Sequence, residues 1–326
     1  MCYLIYSFFM TEAKQFGIEF GRKRPEHLQM VDTPGNNTVA VAEYGSKNGK
    51  PVLLLPGTHG SRTGPLIVNE STLHHQNIRL FSIDPYGWGY TPRREGHVIA
   101  DIVPDIRAII DHFDPDSKWC IAGRSAGGTY ALASATEMPD RFRKAATMCT
   151  PSPKDEKDRT NPQAGKGWYQ EMPEENMRIY SNPLNEDINQ ERREIIRRSR
   201  EDPEYYLRDY LWEMLTKYDK TALEMGDIYN QQKEAYREAM SSPQSYEAWF
   251  DLTLALHNDW RTNLERNTVP TVLWHGAEDV LMPVYHARRL KARMPNPNVR
   301  LVIEPKKAHF NAFDVFPRIL DWFSEK

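Results

Sequence analysis

The N-terminal half of the chain alternates short apolar runs with stretches whose apolar residues recur at helical spacing. Residues 51–55 are apolar throughout, which is typical of a strand buried on both faces of a sheet. Residues 98–113 carry apolar side chains every three or four positions, which predicts a helix. Further strands are predicted at 38–43, 78–83, 118–122 and 145–149. This order predicts an α/β fold with a doubly wound, mostly parallel sheet.

The character of the sequence changes after Pro151. Residues 152–266 contain no convincing strand, and six prolines divide a series of helical stretches. Strands are predicted again at 271–274 and 299–303, followed by a closing helix with one apolar face. We therefore expect four segments. Residues 1–25 form an N-terminal extension, residues 26–151 and 267–326 form the two parts of a sheet core, and residues 152–266 form a helical insert between those parts.

Composition excludes several classes of protein. Hydrophobic residues make up 40% and charged residues 27% of the 326 residues, close to globular averages. The net charge is −3, so no basic excess favours binding to nucleic acid or to an anionic membrane. The mean hydropathy is −0.69, and the sequence contains no apolar run of the length that spans a bilayer. We expect neither nucleic acid nor membrane as a partner.

The cysteines and the first residues bear on location. Three scattered cysteines are too few for a disulfide framework, which favours a reducing cytoplasm. Residues 1–10 are apolar but lack the basic stretch and the cleavage site of a signal peptide. Met10 would make a more ordinary start, so residues 1–9 are open to question as part of the native protein.

The segment Gly123-Arg124-Ser125-Ala126-Gly127 matches the pattern G-x-S-x-G. It lies between a predicted strand and a helix rich in small residues, which is the setting that a nucleophile elbow requires. In such a turn the serine hydroxyl projects from a strained backbone position. We therefore predict that Ser125 is a catalytic nucleophile, with a plain glycine turn as the alternative.

A serine nucleophile needs a base, and the base needs a carboxylate that orients it. Asp279 follows the predicted strand at 271–274, where such sheets hold their catalytic loops, and the neighbouring Glu278 is its rival. His309 follows the strand at 299–303 and precedes the closing helix. The chain order predicts Ser125, Asp279 and His309 as a catalytic triad, with a structural role for His309 as the alternative.

Two backbone N–H groups are candidates for an oxyanion hole. The Ala126 N–H lies at the positive end of the helix that starts after the serine. The Thr58 N–H belongs to the loop after the strand at 51–55, in which Gly57 allows the backbone to approach a substrate. In the same loop, His59 and Arg62 either line the substrate pocket or fix the loop.

Together these residues resemble the α/β-hydrolase superfamily over residues of about 38–150 and 268–326. The stretch 51–150 is similar to bacterial serine hydrolases with a PGTxGSR oxyanion loop and a GRSxGG elbow. The resemblance implies the α/β-hydrolase fold, with residues 152–266 as a helical cap inserted after strand 6. Since such a cap supplies the specificity pocket, we expect substrate contacts from the elbow and from the cap entry. These candidates are Arg124, Trp168, Tyr169, Met172, Met177 and Tyr180.

The sequence thus predicts a serine hydrolase, esterase-like, that cleaves an ester or related acyl bond of a small organic molecule without metal or cofactor. The cap holds 13 of the 24 Trp and Tyr residues but a single Phe, which favours a ligand with oxygen atoms over a lipid tail. Ordinary helix packing is the alternative. Two alternatives to hydrolysis stay open: acyl transfer, cyclisation or carbon–carbon cleavage by the same triad, and a receptor without enzymatic activity. The sequence also leaves open which substrate is bound and whether the protein is a homodimer.

Overall fold

A computed structural model describes residues 28–64, 70–160, 167–225 and 228–325. The predicted N-terminal extension, residues 1–25, therefore lies outside the described residues. The strands found among the described residues are β1 (Leu28–Thr33), β2 (Asn37–Gly45), β3 (Lys50–Leu55), β4 (Ile78–Ile83), β5 (Trp119–Arg124), β6 (Phe142–Met148), β7 (Thr271–Gly276) and β8 (Val299–Glu304).

These strands form one sheet in the order β1-β2-β4-β3-β5-β6-β7-β8. β2 pairs antiparallel with both β1 and β4, and every other neighbouring pair is parallel. The prediction of a doubly wound, mostly parallel sheet is confirmed. The hairpin strand β1 was not predicted, because at the sheet edge only Val31 and Thr33 are buried and the apolar signal is weak.

The described helices fall into two groups. Those that connect or flank the strands are α1 (Glu70–His75), α2 (Ile102–Phe113), α3 (Ala126–Glu137), α10 (Tyr285–Arg293) and α11 (Ala312–Ser324). Those between β6 and β7 are α4 (Glu156–Thr160), α5 (Glu174–Ser181), α6 (Glu186–Glu201), α7 (Lys217–Glu224), α8 (Ile228–Met240) and α9 (Ser245–His257). None of the described helices has the length and apolar character needed to cross a membrane.

The central strands are buried on both sides, as their apolar runs predict. In β3, Leu53 and Leu55 belong to the apolar cluster on the side of α2 and α3, whereas Val52 and Leu54 belong to the cluster that contains α11. Full burial of one such side chain stabilises the fold by about 1.5–3 kcal/mol. This two-sided packing holds the strand ends, and the loops that leave them, in fixed positions.

The helical region, by which we mean residues 152–266, packs against the loops that leave the carboxyl ends of the parallel strands. Arg62 in the loop after β3 forms an ion pair with Glu238 of α8. The Gly89 N–H, in the loop after β4, donates to the Ala239 carbonyl at 3.2 Å. The Phe310 N–H, after β8, donates to Asp219 of α7 at 2.8 Å. These contacts place the helical region over the edge at which catalytic loops lie in this kind of sheet.

Candidate active site

Ser125 occupies a strained turn between β5 and α3. Its φ angle of 51° lies in the left-handed region, which is uncommon for a residue with a side chain. The turn is held by the Ser125 N–H, which donates to the Met148 carbonyl at 2.8 Å. Space around it is scarce: a Cβ on Gly123 would lie 2.3 Å from the Gly127 carbonyl oxygen, and one on Gly127 would lie 2.2 Å from the Leu55 carbonyl oxygen. The two flanking glycines are therefore required by close backbone approach.

Asp279 and His309 leave the carboxyl ends of the adjacent parallel strands β7 and β8. The two loops are joined by their backbones, since the Glu278 N–H donates to the Lys307 carbonyl at 2.9 Å. His309 Nδ1 and Asp279 Oδ2 are 2.8 Å apart, and both side chains are buried. An imidazole held through Nδ1 keeps its other nitrogen, Nε2, for a different partner.

The environment of Asp279 favours its ionised form. Burial by itself would raise the pKa of this carboxyl, but the neighbouring His309 imidazole and the hydrogen bonds from His309 and the Met282 N–H hold the pKa below its ordinary value. The rival Glu278 is exposed and makes only a backbone contact to the histidine loop. Of these two acids, only Asp279 contacts the imidazole.

The two candidate oxyanion donors flank the serine. Ala126 is the first residue of α3, so its N–H is one of the amides without a partner inside the helix. Thr58 follows Gly57, where an added Cβ would lie 2.9 Å from the Ser125 Cβ. The loop after β3 thus lies directly against the serine, and a side chain at position 57 would push it away.

A small cavity of about 70 Å³ lies between the strand ends and the helical region. Ser125 and His309 both line it, together with Thr58, Arg124 and Tyr180 from the predicted set. The cavity wall also includes Asn176, Tyr206, Leu211, Tyr236, Leu281, Met282 and Phe310. The structure therefore brings Ser125, His309 and several polar residues to the wall of one small cavity.

Two predicted pocket residues, His59 and Arg62, are not in this cavity wall. His59 is buried against the rings of Trp88, Tyr206 and Trp249 at centroid distances of 4.2–5.0 Å. Burial lowers the pKa of His59 to about 3, so the ring is neutral. Arg62 donates to Asp84 at 2.6 Å and to Glu238 at 2.7 Å. Of the two roles the sequence left open, this geometry matches the fixing of the loop.

Four of the five candidates near the cap entry also lie outside the cavity wall. Trp168, Tyr169 and Met172 form a buried cluster with Met282, against which Met177 packs. These four candidates pack in or against this cluster and do not line the cavity. A sequence rich in aromatic residues was therefore not enough to identify the residues of the pocket. Only Tyr180 of that group reaches the cavity.

Apart from Tyr180, sequence reasoning missed the side chains that the helical region contributes to the cavity. Tyr206 and Leu211 are the first and last residues of a short π-helix, Tyr206–Leu211, and Tyr236 lies in α8. π-Helical turns are frequent at functional sites, but no sequence signal marked this one. Asn176 is fixed by its Nδ2, which donates to the Leu281 carbonyl at 2.6 Å. Asn176 and Leu281 lie far apart in the chain, so only the fold reveals the pair.

Asp219 is a second buried acid close to the imidazole. Its Oδ1 accepts from the Phe310 N–H, and its Oδ2 accepts from the Thr216 hydroxyl at 2.9 Å. Burial and the nearby Asp279 carboxylate raise the pKa of Asp219. This side chain ties α7 to the backbone immediately after His309.

The described residues contain one group of metal-ligand type at this place. Atoms of Cys149, Asp279 and His309 lie within 4.8 Å of one another. Burial raises the pKa of the Cys149 thiol well above its ordinary value, whereas a metal ligand must be the thiolate. The His309 Nδ1 and the Asp279 Oδ2 also already bond to each other. This donor set fits a hydrogen-bonded dyad better than a metal centre.

Solved structures of other proteins share this fold at low sequence identity. A bromoperoxidase from Bacillus anthracis superposes with a TM-score of 0.65 at 18% identity, covering 91% of this chain and 99% of that one. An esterase from Thermogutta terrifontis gives 0.61 at 19% identity, covering 91% and 96%. An enol-lactonase from Burkholderia xenovorans LB400 gives 0.61 at 15% identity, covering 91% and 100%. At these identities the likeness shows the fold alone.

Sequence comparison adds a partial relative and a family. The chain is 31% identical over 120 residues to a probable proline iminopeptidase from Leptolyngbya boryana, a match that spans 36% of each protein. The chain therefore matches about a third of the length of that relative. A family model described as alpha/beta hydrolase fold matches residues 50–315, which include both catalytic candidates after β7 and β8 as well as the serine turn. By this match over most of its length, the chain belongs to the alpha/beta hydrolase fold family.

Proposed function

We propose that this protein is a serine hydrolase that cleaves an ester or related acyl bond of a small organic molecule. Ser125 is the nucleophile, His309 the general base and Asp279 the carboxylate that orients the imidazole. The N–H groups of Thr58 and Ala126 bind the developing oxyanion. We also propose that the chain is similar to bacterial serine hydrolases with a PGTxGSR loop and a GRSxGG elbow, and we expect the enzyme in the cytoplasm.

The reaction follows from the chemistry of these groups. His309 Nε2 accepts the hydroxyl proton while Ser125 Oγ attacks the carbonyl carbon, and the carbonyl oxygen becomes an oxyanion that accepts from the two N–H groups. His309 then gives the proton to the departing alcohol, which leaves an acyl group on Ser125. Water, deprotonated by the same imidazole, attacks the acyl-enzyme and releases the acid.

The single observation that carries this proposal is the shared cavity. Ser125 and His309 line one small cavity, and the imidazole on its wall is held through Nδ1 by a buried carboxylate. A low-dielectric site of this kind strengthens each interaction with developing charge. The small volume and the tyrosine and asparagine side chains of the wall support a compact, oxygen-containing substrate.

The direct test is the rate of hydrolysis of short acyl esters by the wild type and by Ser125→Ala. We expect the substitution to lower kcat by about 10³-fold or more while the melting temperature stays close to that of the wild type. Full turnover by a folded Ser125→Ala variant would overturn the assignment. A prolyl amide belongs in the panel because of the iminopeptidase relative, and assays with added alcohol or amine separate hydrolysis from acyl transfer.

A further inference from the structure

Arg124 is a buried cation beside the proposed nucleophile. Its side chain lines the same cavity as Ser125 and is only 8% exposed. The guanidinium lies over the rings of Phe313 and Phe310, at 4.4 and 5.4 Å from their centroids. Its Nη1 is buried and has no hydrogen-bond partner. Across 28–64, 70–160, 167–225 and 228–325, no carboxylate forms an ion pair with it.

Two other buried or half-buried arginines are paired with acids, whereas the buried Arg192 donates to the Asn189 amide oxygen and to the Ile179 carbonyl. Arg62 contacts Asp84 and Glu238, and Arg93 contacts Asp251 at 2.5 Å. An unpaired buried charge costs several kcal/mol, so proteins supply a partner or leave the position for a ligand. Arg124 is therefore a cation prepared for an anion from outside the chain.

The rest of the cavity wall suits an anion as well. It contains the phenols of Tyr206 and Tyr236, and no Asp or Glu side chain belongs to it. The Arg124 guanidinium offsets part of the rise that burial causes in the pKa of Tyr236, so the two groups lie close together. A second buried guanidinium, that of Arg192, is close enough to Tyr180 to act on its pKa in the same direction. Asp279 lies behind the imidazole, on its Nδ1 side.

We propose that the substrate carries a carboxylate, bound by Arg124, a few bonds from the acyl carbon that Ser125 attacks. This inference rests on the proposed function. Arginine binds carboxylates through two parallel N–H donors, which fixes the orientation as well as the position of the ligand. Because Arg124 and Ser125 line the same small cavity, the two functional groups of the substrate must be close. The half-ester of a short dicarboxylic acid has this chemistry.

Binding gives the first test, independently of turnover. Succinate and its neutral analogue succinamide are titrated by calorimetry into Ser125→Ala, and again into that variant with Arg124→Gln or Arg124→Lys. We expect succinate to bind about tenfold or more tightly than succinamide, and Arg124→Gln to abolish the difference. Arg124→Lys should keep part of it, since the charge remains without the paired donors. Equal binding of the two compounds to Ser125→Ala, or a difference that survives Arg124→Gln, would overturn the proposal.

Selectivity gives the second test. The ratio of kcat/KM for monoethyl succinate to that for diethyl succinate is measured in the wild type and in Arg124→Gln. We expect a ratio above one that falls about tenfold or more with the substitution. A smaller fall would contradict the inference, because a merely structural role of Arg124 lowers both rates alike. The two hypotheses can fail separately. Hydrolysis that depends on Ser125 but shows no preference for the half-ester would contradict only the proposed carboxylate site, whereas turnover by Ser125→Ala would contradict the proposed function.

Discussion

The sheet and the helical region bury different kinds of side chain. In β3 and β5 the buried residues are apolar almost without exception and alternate between the two faces. The helical region buries charged groups in addition to its apolar clusters, among them Lys154, Arg192 and Asp219. An apolar pattern is visible in a sequence, whereas the partners that make a buried charge tolerable come from distant parts of the chain. The apolar core of the sheet can therefore be predicted from the periodicity of the sequence, whereas the buried charges of the helical region become apparent only in the fold.

The same division runs through the site. The strand ends supply Ser125, Asp279 and His309, and the helical region supplies Tyr180, Tyr206 and Tyr236. If the proposed function is right, substitutions at the strand ends should abolish chemistry, and substitutions in the helical region should change stability or selectivity. Four predictions test that contrast, beginning with the largest effect.

Asp279→Asn should nearly abolish turnover. An amide cannot accept both hydrogen bonds as the carboxylate does, and it favours the wrong imidazole tautomer, so we expect kcat to fall by about 10³–10⁴-fold. The matched control is Glu278→Gln, because that neighbour is exposed and does not contact His309. Steady-state kinetics of both variants on a short ester decide the point. Equal loss in the two variants, or activity retained in Asp279→Asn, would contradict the role given to Asp279.

Lys154 should make stability depend on pH. Burial lowers the pKa of Lys154 to about 7, from 10.5. Between these two pH values the unfolded chain holds a proton that the folded chain has released, so the free energy of unfolding rises with pH through this window. The total gain is about 5 kcal/mol at most. Denaturant unfolding across the window measures it.

The control for Lys154 is the exposed Lys157 on α4. Lys154→Met should remove the rise and raise stability at the acid end of the window, where the buried charge is costly. Lys157→Met should keep the rise seen in the wild type. A pH profile of Lys154→Met that parallels the wild type would show that another group is responsible.

Arg192 and Arg193 are neighbours on α6 with opposite surroundings. Arg192 is fully buried and donates to Asn189 at 2.7 Å and to the Ile179 carbonyl at 2.8 Å. Arg193 is 44% exposed. Arg192→Ala should lower the free energy of unfolding by about 3 kcal/mol, because it leaves a cavity and unpaired acceptors. Arg193→Ala should leave the unfolding midpoint nearly unchanged, and similar effects of the two would refute the contrast.

Asp219 connects the two regions, so its substitution should affect both. Asp219→Ala leaves the Phe310 N–H without an acceptor and removes the carboxylate half of the capping box that Asp219 forms with Thr216 at the start of α7, which should cost about 2 kcal/mol of stability. Turnover should fall by about tenfold, since the backbone beside His309 loses its support. The exposed Glu224→Gln on the same helix serves as the control. Unchanged kcat in a destabilised Asp219→Ala would limit the residue to a structural role.

Much of the fold was predictable because its strands carry continuous apolar runs. The strand β4 coincides with the range predicted from the sequence, and β5 and β7 differ only at their ends. The edge strand β1 escaped prediction because an edge needs few apolar residues. Dense charge such as that of residues 186–200 is typical of a solvated helix face, and α6 is a helix, but Arg192 is buried within it.

The site was predictable to the extent that chain order and strand ends determine it. Ser125, Asp279 and His309 follow β5, β7 and β8, and these strands lie near one another in the sheet. The cavity residues Asn176, Tyr206 and Tyr236 were not predictable, since nothing in their local sequence distinguishes them from rings and amides that pack elsewhere. His59 was ambiguous for the same reason, and its contacts to Trp88 and Trp249 became visible only in the fold.

The most direct test of the proposed catalytic centre is covalent labelling with an alkyl fluorophosphonate, followed by mass spectrometry of the peptides. Such reagents react with a serine whose hydroxyl is activated by a neighbouring base. We predict a single adduct on Ser125 in the wild type and a much slower reaction in Asp279→Asn. No adduct at all, an adduct on another serine, or labelling of Ser125 at the same rate in both proteins would contradict the account.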